Sequence, residues 1–510
     1  MRKRIYLLLI CLLTLAVSIF LFTACDEETP NGDGTTSECL KYTISSDGTY
    51  YTVTGLGTYT DTNIVIPSVY ENKPVKAIGD AAFKNYDSLT SVTIGDSVTT
   101  IGSYAFWNCN SITSVTIGNS VTSIGYEAFR YCDSLTSVTI GNSVNTIGSY
   151  AFSDCFALVE VVNKSSLNIM RGDTDNGNVG YYALEIHNGD SKVVNKDGYL
   201  FYTCNGINYL LGYTGTDKTL ILPSNYNGGK YEIYKYAFYK NGKITSVVIP
   251  DSVTTIGDKA FMFCNSITSV TIGNSVTSVG DSAFFDCYKL ASVTIGNSVT
   301  TIGDGVFCGC DSLTSVVIPD NVTTIGNSAF SNCLNLTSVV IPDNVNSIGD
   351  AAFKNCDSLT SVTIGDSVTT VGDSAFMYCD SLTSVTIGNS VTTIGDNAFY
   401  YCDSLTCVTI GNSVTTIGEF AFWHCISLTS VVIPDSVTTI GNSAFRYCTS
   451  LTSVMIGNIV TSIGDSTFRD CGSLTSIKYR GTEEQWKAIS KGRGWDSGTG
   501  NYVVTYNYTG

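Results

Sequence analysis

Phenylalanine returns along this chain at a fixed interval. It stands at Phe83, Phe106, Phe129 and Phe152, and again at Phe238, Phe261, Phe284, Phe307, Phe330, Phe353, Phe376, Phe399, Phe422, Phe445 and Phe468, stepping by 23 residues within each series. A strict period forces every segment to meet the next in the same way, so the chain must stack equivalent coils instead of wrapping one centre. Only 14% of residues are charged, and no run of like charge is long enough to keep the body unfolded.

One period shows what a coil is made of. From Leu89 to Asn110 the recurring apolar or thiol positions are Leu89, Val92, Ile94, Val98, Ile101, Ala105, Phe106 and Cys109, which should point inward. Ser91-Val92-Thr93-Ile94 alternates polar and β-branched apolar residues, the pattern of a short half-buried strand. Pairing that strand with its copy in each neighbouring coil makes a parallel sheet. Gly95-Asp96-Ser97 is turn chemistry, and in four coils the stretch begins with proline (Pro250, Pro319, Pro342, Pro434), which ends the strand. Val98-Thr99-Thr100-Ile101 predicts a second extended piece leading to Gly102. Most coils continue with Asp or Asn before Ala-Phe, as in Asp281-Ser282-Ala283-Phe284, which predicts a short capped helix carrying Ala, Phe and Cys into the core. At about 4.8 Å per strand, the fifteen coils would extend to roughly 70 Å.

The pattern L-x-x-V-x-I, followed by V-x-x-I-G-x-x-A-F-x-x-C, resembles the BspA-type leucine-rich repeat family of bacterial surface proteins over most of residues 40 to 480. The expected fold class is a leucine-rich-repeat solenoid of 23-residue coils, with a parallel sheet, a short second extended segment and short helical turns. The resemblance implies adhesion and says little about any ligand. One departure from the general repeat is that the ladder-asparagine slot mostly holds serine (Ser97, Ser120, Ser143), with Asn only at Asn321 and Asn344, so the turn should differ.

Phe152 and Phe238 are 86 residues apart, which is not a multiple of 23. Asp197-Gly198-Tyr199-Leu200-Phe201-Tyr202 and Leu220-Ile221-Leu222-Pro223 echo Asp47-Gly48-Thr49-Tyr50-Tyr51 and Ile64-Val65-Ile66-Pro67 near the start, so each block should begin with its own longer opening coil. At the other end Tyr479 to Trp486 opens a helix-like segment and Tyr502 to Tyr506 a last strand, resembling the family's C-terminal cap; an open last coil would expose core and strand edge. The organisation expected is a signal peptide at 1–24, an acidic flexible tether at 25–38, an opening coil and first repeat block at 39–155, an irregular insertion at 156–196, a second opening coil at 197–237, a second repeat block at 238–477 and a cap at 478–510.

Arg2, Lys3 and Arg4 precede an apolar stretch from Ile5 to Phe22, as in an export signal. Phe22-Thr23-Ala24-Cys25 resembles a bacterial lipobox, although Phe22 stands where the pattern prefers an aliphatic residue; Cys25 is then the lipidated N-terminus. The plainer alternatives are an ordinary signal peptide with an incidental Cys25, or a retained membrane anchor. Asp26 to Gly34 is acidic and breaker-rich, a tether that would hold the folded part off the membrane. Cleavage removes three positive charges and no negative ones, taking the formal charge from −17 to −20, which argues against nucleic acid as a partner.

Thirteen cysteines, Cys109 through Cys471, fall three residues after a repeat phenylalanine and would form one buried sulfur column. Free thiols acting as small apolar fillers are the preferred reading. In-register side chains are poorly placed for disulfides, and a column does not converge on a metal. Cys39, Cys204, Cys308 and Cys407 lie off the column and are the better candidates for reactive thiols. The two histidines, His187 and His424, have no spacing that links either to a nucleophile or a ligand set, and Asp173-Thr174-Asp175-Asn176-Gly177 is a poor calcium loop because Leu184 stands where Glu should close it. No cofactor, metal or catalytic residue is expected, so the chain reads as a binder and not an enzyme.

Variation concentrates in the two residues after each repeat phenylalanine, where the core imposes least. In consecutive coils these are Met377-Tyr378, Tyr400-Tyr401, Trp423-His424 and Arg446-Tyr447, a stripe about 15 Å long at sheet spacing. Exposed aromatic and arginine residues in one patch suit a contact site, while the plainer reading packs the rings on neighbouring coils. The function expected is a lipid-anchored cell-surface adhesion or recognition protein, binding a host protein, a microbial partner or a polysaccharide. A carbohydrate-binding or carbohydrate-active solenoid and a passive surface spacer are the alternatives.

Overall fold

The computed structural model describes residues 39–509, so the signal segment, Cys25 and the tether lie outside the described residues. The chain divides into two compact units between Ser191 and Lys192. In the first, one sheet runs from Lys41–Ile44 to Thr146–Ile147 and a second from Asn63–Ile66 to Glu185–His187. Pairing is parallel and in register at one period: Ser91 lies beside Ser114, Val92 beside Val115 and Thr93 beside Thr116. The stretch after the fourth repeat phenylalanine adds two rungs to the second sheet, Glu160–Asn163 beside Ser137–Ile140 and then Glu185–His187.

The second unit has a fifteen-stranded sheet ending at Ser490–Lys491, opposed by three shorter parallel sheets. It opens on an antiparallel hairpin, Tyr199–Cys204 with Ile207–Tyr213, as the first unit opens on Lys41–Ile44 with Tyr51–Gly55. Its last coil is followed by a helix, Glu483–Ala488, started by a reciprocal pair of bonds between Thr482 and Gln485, and Trp486 from that helix is buried. Val503–Thr505 then covers the edge of Ser476–Tyr479.

Each unit has its own apolar core, and in both the repeat phenylalanines stack ring on ring. Neighbouring centroids are 4.7–5.5 Å apart and the planes lie within 2–19° of parallel. Strand spacing imposes that separation, and offset stacking at this distance is favourable. The column thiols are free, and each Sγ–H donates to the carbonyl of the preceding coil's phenylalanine at 2.9–3.3 Å. Threonines do the same at the coil's surface: Thr383 Oγ1 donates to Thr360 O and Thr392 Oγ1 to Thr369 O.

The helix expected around Ala-Phe is reduced to single turns. Two residues before and two after the phenylalanine, the backbone enters the left-handed region: Ser374 has φ 57° and Tyr378 φ 61°. Their N–H groups, and that of Phe376 between them, donate to the next coil at Asp396, Ala398 and Tyr400 at 2.7–2.9 Å. A helix would turn these donors back on their own chain, whereas here they build a further ladder between coils. The acidic residue expected to cap the helix also reaches across: Asp281 N–H donates to Asp258 Oδ1 at 3.0 Å, and Asp304 N–H to Asp281 Oδ1 at 2.8 Å. Glycine is required just before this point because the coils touch there; a Cβ on Gly418 would lie 2.6 Å from the Gly395 carbonyl carbon. In the ladder-asparagine slot, Asn321 and Asn344 donate to backbone carbonyls of the previous coil, while Ser97 Oγ reaches Ser68 O and Val75 O.

Candidate functional site

Burial of Phe and Cys on either side turns the two residues between them toward the surface in most coils, with Ser153, Cys308 and Ser331 buried as exceptions, so they form one column along the edge of each unit. In the second unit Tyr378, Tyr400, Tyr401, Trp423, His424 and Tyr447 make a connected aromatic surface across four coils. Tyr400 stacks on Trp423 at 4.6 Å and 8°, Tyr447 meets Trp423 edge to face at 5.4 Å, and Tyr401 lies 4.3 Å from the His424 ring. Tyr378 stands 5.4 Å from Tyr401. Arg446 lies over the Tyr447 ring at 4.7 Å and donates from Nη2 to its hydroxyl at 3.0 Å. His424 Nδ1 bonds Asp403 Oδ1 at 2.9 Å. Tyr378 is exposed and the other stripe residues, Met377 included, are half-buried. The rings therefore pack on neighbouring coils and still show their rims to solvent.

The first unit carries a comparable patch. Trp107 and Tyr131 meet edge to face at 5.6 Å, Lys84 Nζ sits 4.4 Å over Trp107, and Arg130 lies 4.6 Å from the Tyr131 ring. Tyr104, Tyr126 and Tyr150 extend it edge to face, the last two exposed. At its centre the buried carboxylate of Glu127 accepts from Trp107 Nε1 at 3.2 Å and Arg130 Nη1 at 3.0 Å. Burial works to raise the Glu127 carboxyl, but hydrogen bonds from Tyr126, Arg130 and Trp107 outweigh it and hold the group below its ordinary range. The bond to Glu127 in turn pushes the Tyr126 phenol up to about 12. Sequence reasoning passed over this patch because half its members precede the phenylalanine; the signal available was Trp107 followed one period later by Arg130-Tyr131, the order found again at Trp423 and Arg446-Tyr447.

Other chemical groups are placed differently. His187 Nε2 lies 3.0 Å from Glu160 Oε1, and Ser191 Oγ donates to Glu160 Oε2. Hydroxyl and imidazole thus share one buried carboxylate and do not bond each other, which is not the relay that activates a serine. Asp286, Asp311, Asp357 and Asp380 have carboxyls raised above the usual range by burial, with the repulsion of Asp311 on Asp286, and of Asp357 and Asp403 on Asp380, adding to it. Burial pushes column thiols such as Cys264, Cys287 and Cys356 up, Cys287 to about 12, which keeps them protonated and inert. Of the off-column cysteines, Cys308 is buried, Cys39 and Cys204 are half-buried and Cys407 is exposed on the sheet.

A stack of 23-residue coils with two sheets, a phenylalanine spine and interchain-like ladders between coils defines a leucine-rich-repeat solenoid. The chain belongs to the BspA type leucine rich repeat region family, which matches six copies over residues 57–174, 231–360 and 369–488. No curated protein sequence matches it. Among solved structures it is similar to a leucine-rich repeat protein from Bacteroides ovatus, at 23% identity over 92% of this chain and 98% of that one, with a TM-score of 0.49. It is also similar to a leucine rich cell surface protein from Faecalibacterium prausnitzii, at 26% identity over 92% and 99%, TM-score 0.34. The pneumococcal vaccine antigen PcpA is 14% identical over 94% and 100%, TM-score 0.29.

Proposed function

We propose that this chain is an exported recognition protein, anchored through lipid on Cys25, whose aromatic stripe from Met377 to Tyr447 binds a protein ligand. The observation that carries the reading is the stripe itself: tyrosine, tryptophan and arginine gathered in one connected surface outside the apolar core. These are the residue types that dominate binding energy at protein interfaces. The ring geometry favours protein over polysaccharide. Trp423 is stacked on one face by Tyr400 and meets Tyr401 and Tyr447 edge to face, so the stacked face is closed to a ligand. A sugar ring that stacks on tryptophan needs a free face. The threonine-rich sheet, including Thr363, Thr386 and Thr409, is exposed and offers hydroxyls with little to select among partners.

The reading is tested with the soluble body, residues 39–510, on arrays of host matrix proteins, bacterial surface proteins and glycans. Saturable binding to a protein, with glycans silent, is the expected result. Binding confined to glycans would overturn it. For the anchor, Cys25→Ser should leave the protein exported and no longer extracted with membranes.

A further inference from the structure

The two aromatic patches share one constellation at the same repeat positions. Trp107 precedes Arg130-Tyr131 and Asp154 at one-period steps, and Trp423 precedes Arg446-Tyr447 and Asp470 in the same way. The geometry repeats as well: Trp to Tyr is edge to face at 5.6 and 5.4 Å, both at 89°, and Arg to Tyr is 4.6 and 4.7 Å. One member differs. In the first unit Glu127, two residues before its repeat phenylalanine, places a carboxylate between Trp107 Nε1 and Arg130 Nη1. In the second unit that position is Ser443. Arg446 donates from Nη2 to the Tyr447 hydroxyl, its Nε is buried without a hydrogen-bond acceptor, and Asp470 stands 3.7 Å from that Nε while also facing Arg469. In the first unit the corresponding Nε bonds Asp154 at 2.9 Å.

We infer that Trp423 and Arg446 form a subsite for a carboxylate of the bound protein, an aspartate or glutamate side chain, in the place that Glu127 fills from within in the first unit. In the first unit an indole and a guanidinium N–H converge on one carboxylate; the repeated Trp-to-Tyr and Arg-to-Tyr geometry carries that donor pair over to Trp423 and Arg446, and a hydrogen bond between charged partners is the strong kind. The first unit's site is filled by its own chain and is closed to ligand. This inference rests on the stripe being a recognition surface, and adds the chemistry it selects.

The test is a titration of the full soluble chain with N-acetylglutamate amide, and separately with glucuronate, following the indole N–H signals of the four tryptophans. The Trp423 signal should shift saturably with the glutamate derivative while Trp107 stays still. Ser443→Glu should supply the missing carboxylate internally and weaken the response by about tenfold or more, the worth of one charged hydrogen bond. Glu127→Ser should open the first site and make Trp107 respond. No shift at Trp423, an equal shift at Trp107 in the unaltered chain, or an unchanged response in Ser443→Glu would each overturn the inference. A response to glucuronate alone would overturn the protein side chain as the source. Loss of partner binding in a stripe variant, with Trp423 blind to carboxylate, would leave the recognition surface standing and remove only the subsite.

Discussion

At the residue scale, a repeat phenylalanine inside a stack does three things at once. Its ring is fully buried between two others, its carbonyl accepts a thiol from the following coil, and its N–H donates to that same coil, as Phe376 does to Ala398 and with Cys402. Phe376→Ala should therefore cost about 3–5 kcal/mol in the unfolding of its unit, measured by denaturant titration. Carboxylates supply the opposite case. Asp357 and Asp380 have raised carboxyls, so the folded state holds their protons more tightly than the unfolded chain does. Their contribution to stability is complete below the ordinary aspartate range, near pH 3.8, and is lost as pH rises through the raised values, leaving a cost at neutral pH. Asp380→Asn should raise the melting temperature at pH 7, and the difference should shrink toward zero as pH falls below 4; an equal gain at both would contradict the assignment.

At the scale of the element, the ladders between coils carry the fold. Gly418→Ala forces a Cβ onto the Gly395 backbone and should destabilise by about 1–3 kcal/mol, more than a glycine-to-alanine change at an open turn. The thiol ladder predicts a reactivity pattern: among the described cysteines Cys407 should react with a soluble thiol reagent in the native protein, and the column only at the rate of unfolding. The strands are legible in Ser-Val-Thr-Ile because alternation and β-branching are local signals of a half-buried strand. The turn ladder is barely so, because its left-handed positions are mostly filled by residues such as Ser374, Tyr378 and Tyr401, and glycine marks both of them only around Phe307, at Gly305 and Gly309. Those conformations are held by hydrogen bonds to another coil, a cause that no short window of sequence contains. The stripe from Met377 to Tyr447 is legible as variation on a fixed frame, whereas Glu127 and Tyr150 escape notice because their value appears only when the coils stack.

At the scale of the whole molecule, the repeat separates two jobs. Inward side chains and the ladder backbone specify the stack, and the exposed side chains that follow the repeat phenylalanines are free for the recognition proposed above. Changes confined to one class should leave the other untouched. The most direct measurement compares Tyr400→Ala/Tyr401→Ala/Trp423→Ala with a control, Thr363→Ala/Thr386→Ala/Thr409→Ala, for binding to the protein identified by array and for thermal unfolding. The account predicts that the aromatic variant loses binding by at least about a hundredfold, the sum expected for truncating interface aromatics, while both variants keep a cooperative melt and the threonine variant keeps its affinity. Unchanged binding in the aromatic variant, or equal loss in the threonine variant, would contradict it.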